Sequence, residues 1–169
     1  MLPAGQYKHE ILNAVESNQV IVCIGETGSG KTTQLPQFLY EAGYCKDSKR
    51  LGITQPRRVA TIAVAKRVSQ EMHATSSEKK MMSESLVGYT IRFDDQCTDS
   101  TRIKFMTDGI LVRECLQDPL LSSYSVIMLD EAHERSIHTD ILFGLLKDIL
   151  QQRQALYNWR TRFNYISIC

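Results

Sequence analysis

The string Gly25-Glu26-Thr27-Gly28-Ser29-Gly30-Lys31-Thr32 constrains this chain more than any other feature, because it fits G-x-x-x-x-G-K-[ST] at every fixed position. A loop of this kind leaves a buried strand and enters a helix. The flanks comply. Val20–Ile24 is a short apolar run that reads as a buried parallel strand, and Lys31–Ala42 reads as a helix stopped by Gly43. Pro36 falls early in that helix and predicts an irregular start. The glycines let successive N–H groups turn inward as an anion-binding concavity, and the helix adds its positive end. Gly25, Glu26, Thr27, Gly28, Ser29, Gly30, Lys31 and Thr32 are therefore candidate ligands for ATP or another NTP. Lys31 is suited to the β- and γ-phosphates and the Thr32 hydroxyl to Mg²⁺.

A second string, Asp130-Glu131-Ala132-His133-Glu134-Arg135, follows the fully apolar run Val126–Leu129. Asp130 thus emerges at the carboxyl end of a buried strand, where open α/β sheets bind ligands. Asp130 is a candidate for holding Mg²⁺ through its water shell, and Glu131 for orienting or deprotonating an attacking water. Thr32, Asp130 and Glu131 make up the candidate metal set. The rival reading is a solvated strand end before a charged helix start, which loses weight beside the phosphate loop. His133 and His138 do not form a zinc pair, since that motif needs histidines at i and i+4 on one helical face.

Elsewhere the pattern alternates. Tyr7, Ile11, Leu12 and Val15 share a helical face that Asn18 ends. Leu51–Thr54 reads as a strand, and Arg57–Met72 as a helix burying Val59, Ile62, Ala63 and Val68. Thr75–Ser85, with Met81 and Met82, reads as a polar surface loop. Leu86–Phe93 and Arg102–Met106 read as strands around the turn-like Asp94–Ser100. Thr107 or Asp108 caps a helix through Leu116, and Ile141–Leu150 is a further helix. Strands alternating with helices predict an α/β fold, a mostly parallel sheet with helices on both faces.

At 169 residues and 43% hydrophobic the chain suits one domain with an ordinary core. Its 20 basic and 19 acidic residues give no overall field toward a polyanion, so any such partner is met by local clusters: Arg57–Arg58, Lys66–Arg67, or Arg102 with Lys104. Five scattered cysteines without a Cys-x-x-Cys pair argue against a disulfide scaffold or zinc ribbon and favour a reducing compartment. No stretch approaches the ~18 apolar residues of a membrane span. The expectation is a soluble intracellular protein with no membrane partner.

Read together, the two strings resemble the DEAH-box family of superfamily 2 RNA helicases. Thr54–Thr61 (TQPRRVAT) resembles that family's motif Ia, Val87–Asp95 (VGYTIRFDD) the segment after it, Thr107–Glu114 (TDGILVRE) motif Ib, and Leu2-Pro3 the start of the helicase core. The match runs from about residue 2 to 150. It implies a RecA-like P-loop NTPase fold, a first motor lobe using ATP and Mg²⁺. Motifs Ia and Ib then imply sequence-independent contacts to the backbone of single-stranded RNA by Arg57, Arg58 and Thr107, with Arg92 a further candidate. A solvated helix start is the rival for Arg57 and Arg58, although cations are mildly unfavourable there. Arg67 is a candidate for stacking on the nucleobase, against an ordinary surface charge. The resemblance gives His133 a coupling role between the nucleotide site, a second lobe and RNA, so that Lys31, Glu131 and His133 form the candidate catalytic group.

The family pattern also implies a second lobe with arginine fingers, worth roughly 10³ to 10⁵ in rate. It further implies a Ser-Ala-Thr strand after Leu150, where this chain instead reads QQRQALYNWRTRFNYISIC, with Phe163–Ile168 as a candidate strand. The expected organisation is a lobe at 1–150 and a divergent tail at 151–169. Two functions follow: the first lobe of an ATP-dependent RNA helicase, or a truncated nucleotide- and RNA-binding module that does not unwind. A nucleoside-triphosphatase that never touches RNA is the third alternative, opposed by motifs Ia and Ib. Family analogy points to mRNA processing in the nucleus, with the cytoplasm as the alternative, and to a ribonucleoprotein or activator protein as partner.

Overall fold

The computed structural model describes residues 3–75, 86–156 and 164–169. Two short helices, α1 (Pro3–Gln6) and α2 (Lys8–Ser17), precede β1 (Val20–Cys23) and α3 (Lys31–Glu41). Then follow β2 (Arg50–Gln55), α4 (Arg58–Thr75), β3 (Val87–Ile91), β4 (Asp94–Asp95) and β5 (Ile103–Thr107). The last elements are α5 (Asp108–Gln117), β6 (Tyr124–Leu129), α6 (Ile137–Leu156) and β7 (Asn164–Ile168). Apart from Thr75, which ends α4, the expected loop with Met81 and Met82 lies outside the described residues.

The strands form one sheet in the order β1-β7-β6-β2-β5-β3-β4. Every pairing is parallel except that of β3 with β4. Alternation along the strands divides the core in two. Leu51, Ile53, Ile103, Phe105, Val126, Met128, Ile166 and Ile168 face α2, α3 and α4, where Val15, Leu35, Leu39, Ala65 and Val68 meet them. Met106, Ile127, Leu129 and Tyr165 face α5 and α6 through Leu111, Leu142, Leu146 and Ile149. Helices thus cover both faces, the arrangement in which parallel strands read as continuous apolar runs. β6 is buried at all of its positions.

β1 departs from the expectation of a fully buried strand. Among the described residues it pairs only with β7, so it lies at the sheet edge. Ile21 and Cys23 pack on the core, whereas Val20 (48% exposed), Val22 (60%) and Ile24 (81%) face outward. An apolar run does not reveal whether its strand is central or marginal. Tyr7 is 52% exposed, because it sits at the break between α1 and α2 rather than on a helical face. In α4 the buried side is Thr61, Ala65 and Val68; Val59 and Ala63 are exposed. The helix packs over β3 and β5, and Val59 falls in its first turn, next to the end of β2.

Pro36 causes no irregular start: α3 is continuous from Lys31 to Glu41 with Pro36 buried inside it. Asp94–Ser100 is not all turn, since Asp94 and Asp95 pair with Ile91 and Thr90. Lys104 is unsuited to any polyanion. It is buried, and its Nζ lies 2.6 Å from Glu114 Oε1, while the Tyr124 hydroxyl donates to Glu114 Oε2 at 2.5 Å. Residue 150 marks no break, because α6 runs on to Leu156 and β7 lies between β1 and β6.

Candidate functional site

The phosphate loop is shaped by its glycines and anchored at both ends. Gly28 and Gly30 have φ of 83° and 89°, values that other residues adopt only with strain. The Ala4 N–H donates to Ser29 O at 3.0 Å, tying α1 to the loop, and the Gly25 N–H donates to Cys169 O at 3.2 Å. The Lys31 ammonium turns back over the loop. It donates to Gly25 O, to Glu26 O at 2.8 Å and to Ser29 Oγ at 3.2 Å. A cation held by three loop oxygens above a helix N-terminus suits exchange of those partners for phosphate oxygens.

Across the loop stands the end of β6. Asp130 is buried, and its Oδ2 accepts hydrogen bonds from Thr32 Oγ1 at 2.5 Å and from Gln55 Nε2, while Oδ1 accepts from the Glu131 N–H at 2.9 Å. Burial pushes the Asp130 carboxyl above the usual carboxylate range. The Thr32 hydroxyl, the Glu131 N–H and Gln55 pull it down, and the Glu131 charge pushes it up again. Glu131 has φ 52° and ψ 32°, left-handed geometry for a residue with a side chain. Such strain is held at functional sites by surrounding bonds. Here the Glu131 N–H is fixed to Asp130, and its carbonyl accepts from the Glu134 N–H at 2.9 Å. His133 Nε2 lies 3.3 Å from Glu131 Oε2.

Gly25, Thr27 to Thr32, Arg67, Asp130, Glu131 and His133 border one cleft of about 220 Å³. Glu26 is the exception. It borders a different cavity with α1, α2 and β1, and reaches this site only through its carbonyl. Arg67 is held at the cleft by Glu71, Nε to Oε1 at 3.0 Å, and Glu71 also accepts from Gln34 and Gln37. The donors fit Mg²⁺: a hydroxyl and a carboxylate within hydrogen-bond contact are hard oxygen ligands. This ion is commonly held by one or two protein groups plus phosphate oxygens and water. Among the described residues no group of three or more His, Cys, Asp or Glu gathers to hold a metal without such help.

The candidate RNA residues follow the same edge. Arg57 and Arg58 follow β2 after Pro56, Thr107 ends β5 and Arg92 directly follows β3; these strands are adjacent and parallel, with β6 and Asp130 next in line. Gln55 pairs with Thr107 across the sheet. Arg57 Nη2 lies 3.0 Å from Glu134 Oε1, and Arg92 stacks over the exposed Phe93 ring at 4.9 Å. Thr107 takes the expected N-cap position of α5, without a side-chain bond. Asp108 is buried and its Oδ2 accepts from Ser136 Oγ at 3.2 Å and Thr139 Oγ1 at 2.8 Å. Gln55 and Glu134 escape a reading of the sequence. Only their places, at a strand end and three residues beyond Glu131, mark them.

A mostly parallel sheet with helices on both faces, which sets a glycine-rich loop against a buried acidic strand end, is a RecA-like α/β domain. The DEAD/DEAH box helicase model matches residues 6–157, and the chain belongs to that family. The pre-mRNA-splicing factor ATP-dependent RNA helicase DEAH10 of Arabidopsis thaliana is 51% identical over 166 residues, 98% of this chain and 22% of that protein. The pre-mRNA-splicing factor ATP-dependent RNA helicase prp22 of Schizosaccharomyces pombe is 56% identical over 155 residues, 92% of this chain and 13% of that protein. The chain therefore spans less than a quarter of either relative. Among the described residues no helix is long and apolar enough to cross a membrane.

Proposed function

We propose that this chain is the nucleotide-binding motor lobe of a DEAH-box ATP-dependent RNA helicase. It binds Mg-ATP between the phosphate loop and Asp130–Glu131, and the backbone of single-stranded RNA along Arg57, Arg58, Thr107 and Arg92. The contact of Thr32 Oγ1 with Asp130 Oδ2 at 2.5 Å carries the reading, since it joins two of the three candidate metal ligands. Mg²⁺, when bound, supplies charge neutralisation at the β- and γ-phosphates. The chain's own groups do the rest. The loop N–H groups and Lys31 hold phosphate oxygens, and Thr32 and Asp130 hold the metal. Glu131 orients or deprotonates the water, Arg67 stacks on the base, and His133 couples the nucleotide site to a second lobe and to RNA.

Both relatives are named as pre-mRNA-splicing factors. By analogy the RNA is part of a ribonucleoprotein, an activator protein takes part, and the work is nuclear. A second reading rests on the chain spanning 22% and 13% of those relatives. In it the 169 residues bind nucleotide and RNA but separate no strands. The test is Mg-ATP affinity. Lys31→Ala removes a charge-assisted phosphate contact and should weaken binding by about tenfold or more. Equal affinity of variant and parent would overturn the proposal.

A further inference from the structure

The ion pair of Arg57 and Glu134 joins a residue proposed to hold RNA to the turn that presents Glu131. Arg57 Nη2 lies 3.0 Å from Glu134 Oε1, with the Arg57 side chain 75% exposed and that of Glu134 35% exposed. The Glu134 N–H donates to Glu131 O at 2.9 Å, so a short turn fixes the backbone from which the carboxylate projects. A carboxylate and a phosphate present the same chemistry to a guanidinium, two anionic oxygens facing its N–H fork.

We infer that Glu134 is a positioning residue of the RNA site, a built-in carboxylate that competes with an RNA phosphate for Arg57. This rests on Arg57 binding RNA, as proposed above. Before RNA arrives, Glu134 holds the guanidinium at the turn after β6. When a phosphate takes Arg57, Glu134 is released, and with it one restraint on the turn from Ala132 to Glu134. No bond is made or broken; the exchange is between two ion pairs. An exposed pair is weak, so its loss shifts RNA affinity by only about two- to fivefold at low salt.

The test measures binding of a single-stranded oligouridine to the 169-residue chain with Arg57 and Glu134 changed singly and together. Glu134→Gln should tighten binding by about two- to fivefold, Glu134→Asp should stay near the parent value, and Glu134→Gln should change nothing once Arg57→Ala is present. Equal tightening in both backgrounds would mean general repulsion of RNA and would overturn the inference, as would no tightening at all. If Arg57→Ala alone leaves RNA affinity unchanged, the RNA role of Arg57 fails instead. A thermal melt separates misfolding from these outcomes, because neither side chain is buried.

Discussion

The Thr32 hydroxyl donates to Asp130 Oδ2 at 2.5 Å, joining the first residues of α3 to the end of β6 across the carboxyl edge of the sheet. β7 lies between β1, which leads into the phosphate loop, and β6, so the loop has to reach over a strand to meet the carboxylate. That reach leaves a cleft bordered by Lys31, Asp130 and Glu131.

A buried carboxylate costs stability when it carries its charge. Burial raises the folded-state pKa of Asp130, so its contribution is fully favourable below the unfolded value of about 3.9 and is lost as pH rises through the folded value. Asp130→Asn should therefore raise the Tm of the metal-free chain at neutral pH. It should also abolish stabilisation by Mg-ATP. The gain should fade toward acid pH; a lower Tm at neutral pH in the absence of metal contradicts the account.

Glu131 stands in left-handed geometry. Glycine accepts φ 52° without strain, whereas alanine does not. Glu131→Gly should be more stable than Glu131→Ala by about 1 kcal/mol in urea unfolding. The reverse order would mean the backbone is not held as described.

Gly52 in β2 provides a packing test away from the chemistry. A Cβ there would stand 2.7 Å from Ile127 Cδ1 and 2.9 Å from Tyr124 Cε1, and both side chains are buried. Gly52→Ala should cost about 1–3 kcal/mol, read as a lower urea midpoint. An unchanged midpoint would show that Tyr124, although bonded to Glu114, moves freely aside.

For RNA, the electrostatic prediction is quantitative. Removing two phosphate contacts through Arg57→Ala with Arg58→Ala should make the log–log dependence of affinity on salt shallower by about 1.4. Fluorescence anisotropy across a salt series checks it. An unaltered slope would leave a nucleoside-triphosphatase without RNA as the better reading.

Much of this was legible in the residues because short-range signals dominate. Gly25–Thr32 and Val126–Glu131 each encode local backbone and chemistry, and the strand–helix alternation encodes a parallel sheet. What pattern could not supply was placement across the sheet. The exposure of Val22, the buried pairing of Lys104 with Glu114, and the seat of β7 beside β6 all depend on which strands become neighbours. Gln55 and Glu134 were missed for the same reason. Each acts on a residue 75 or 77 positions away, on Asp130 and Arg57 respectively.

The most direct measurement replaces Mg²⁺ by paramagnetic Mn²⁺ and follows backbone amide resonances of the chain with added ATP analogue. Strong broadening is expected at Thr32 and at Asp130 together, and only when nucleotide and metal are both present. Broadening confined to one of those two amides, or absent from both in the saturated complex, would contradict a single triphosphate bound between them.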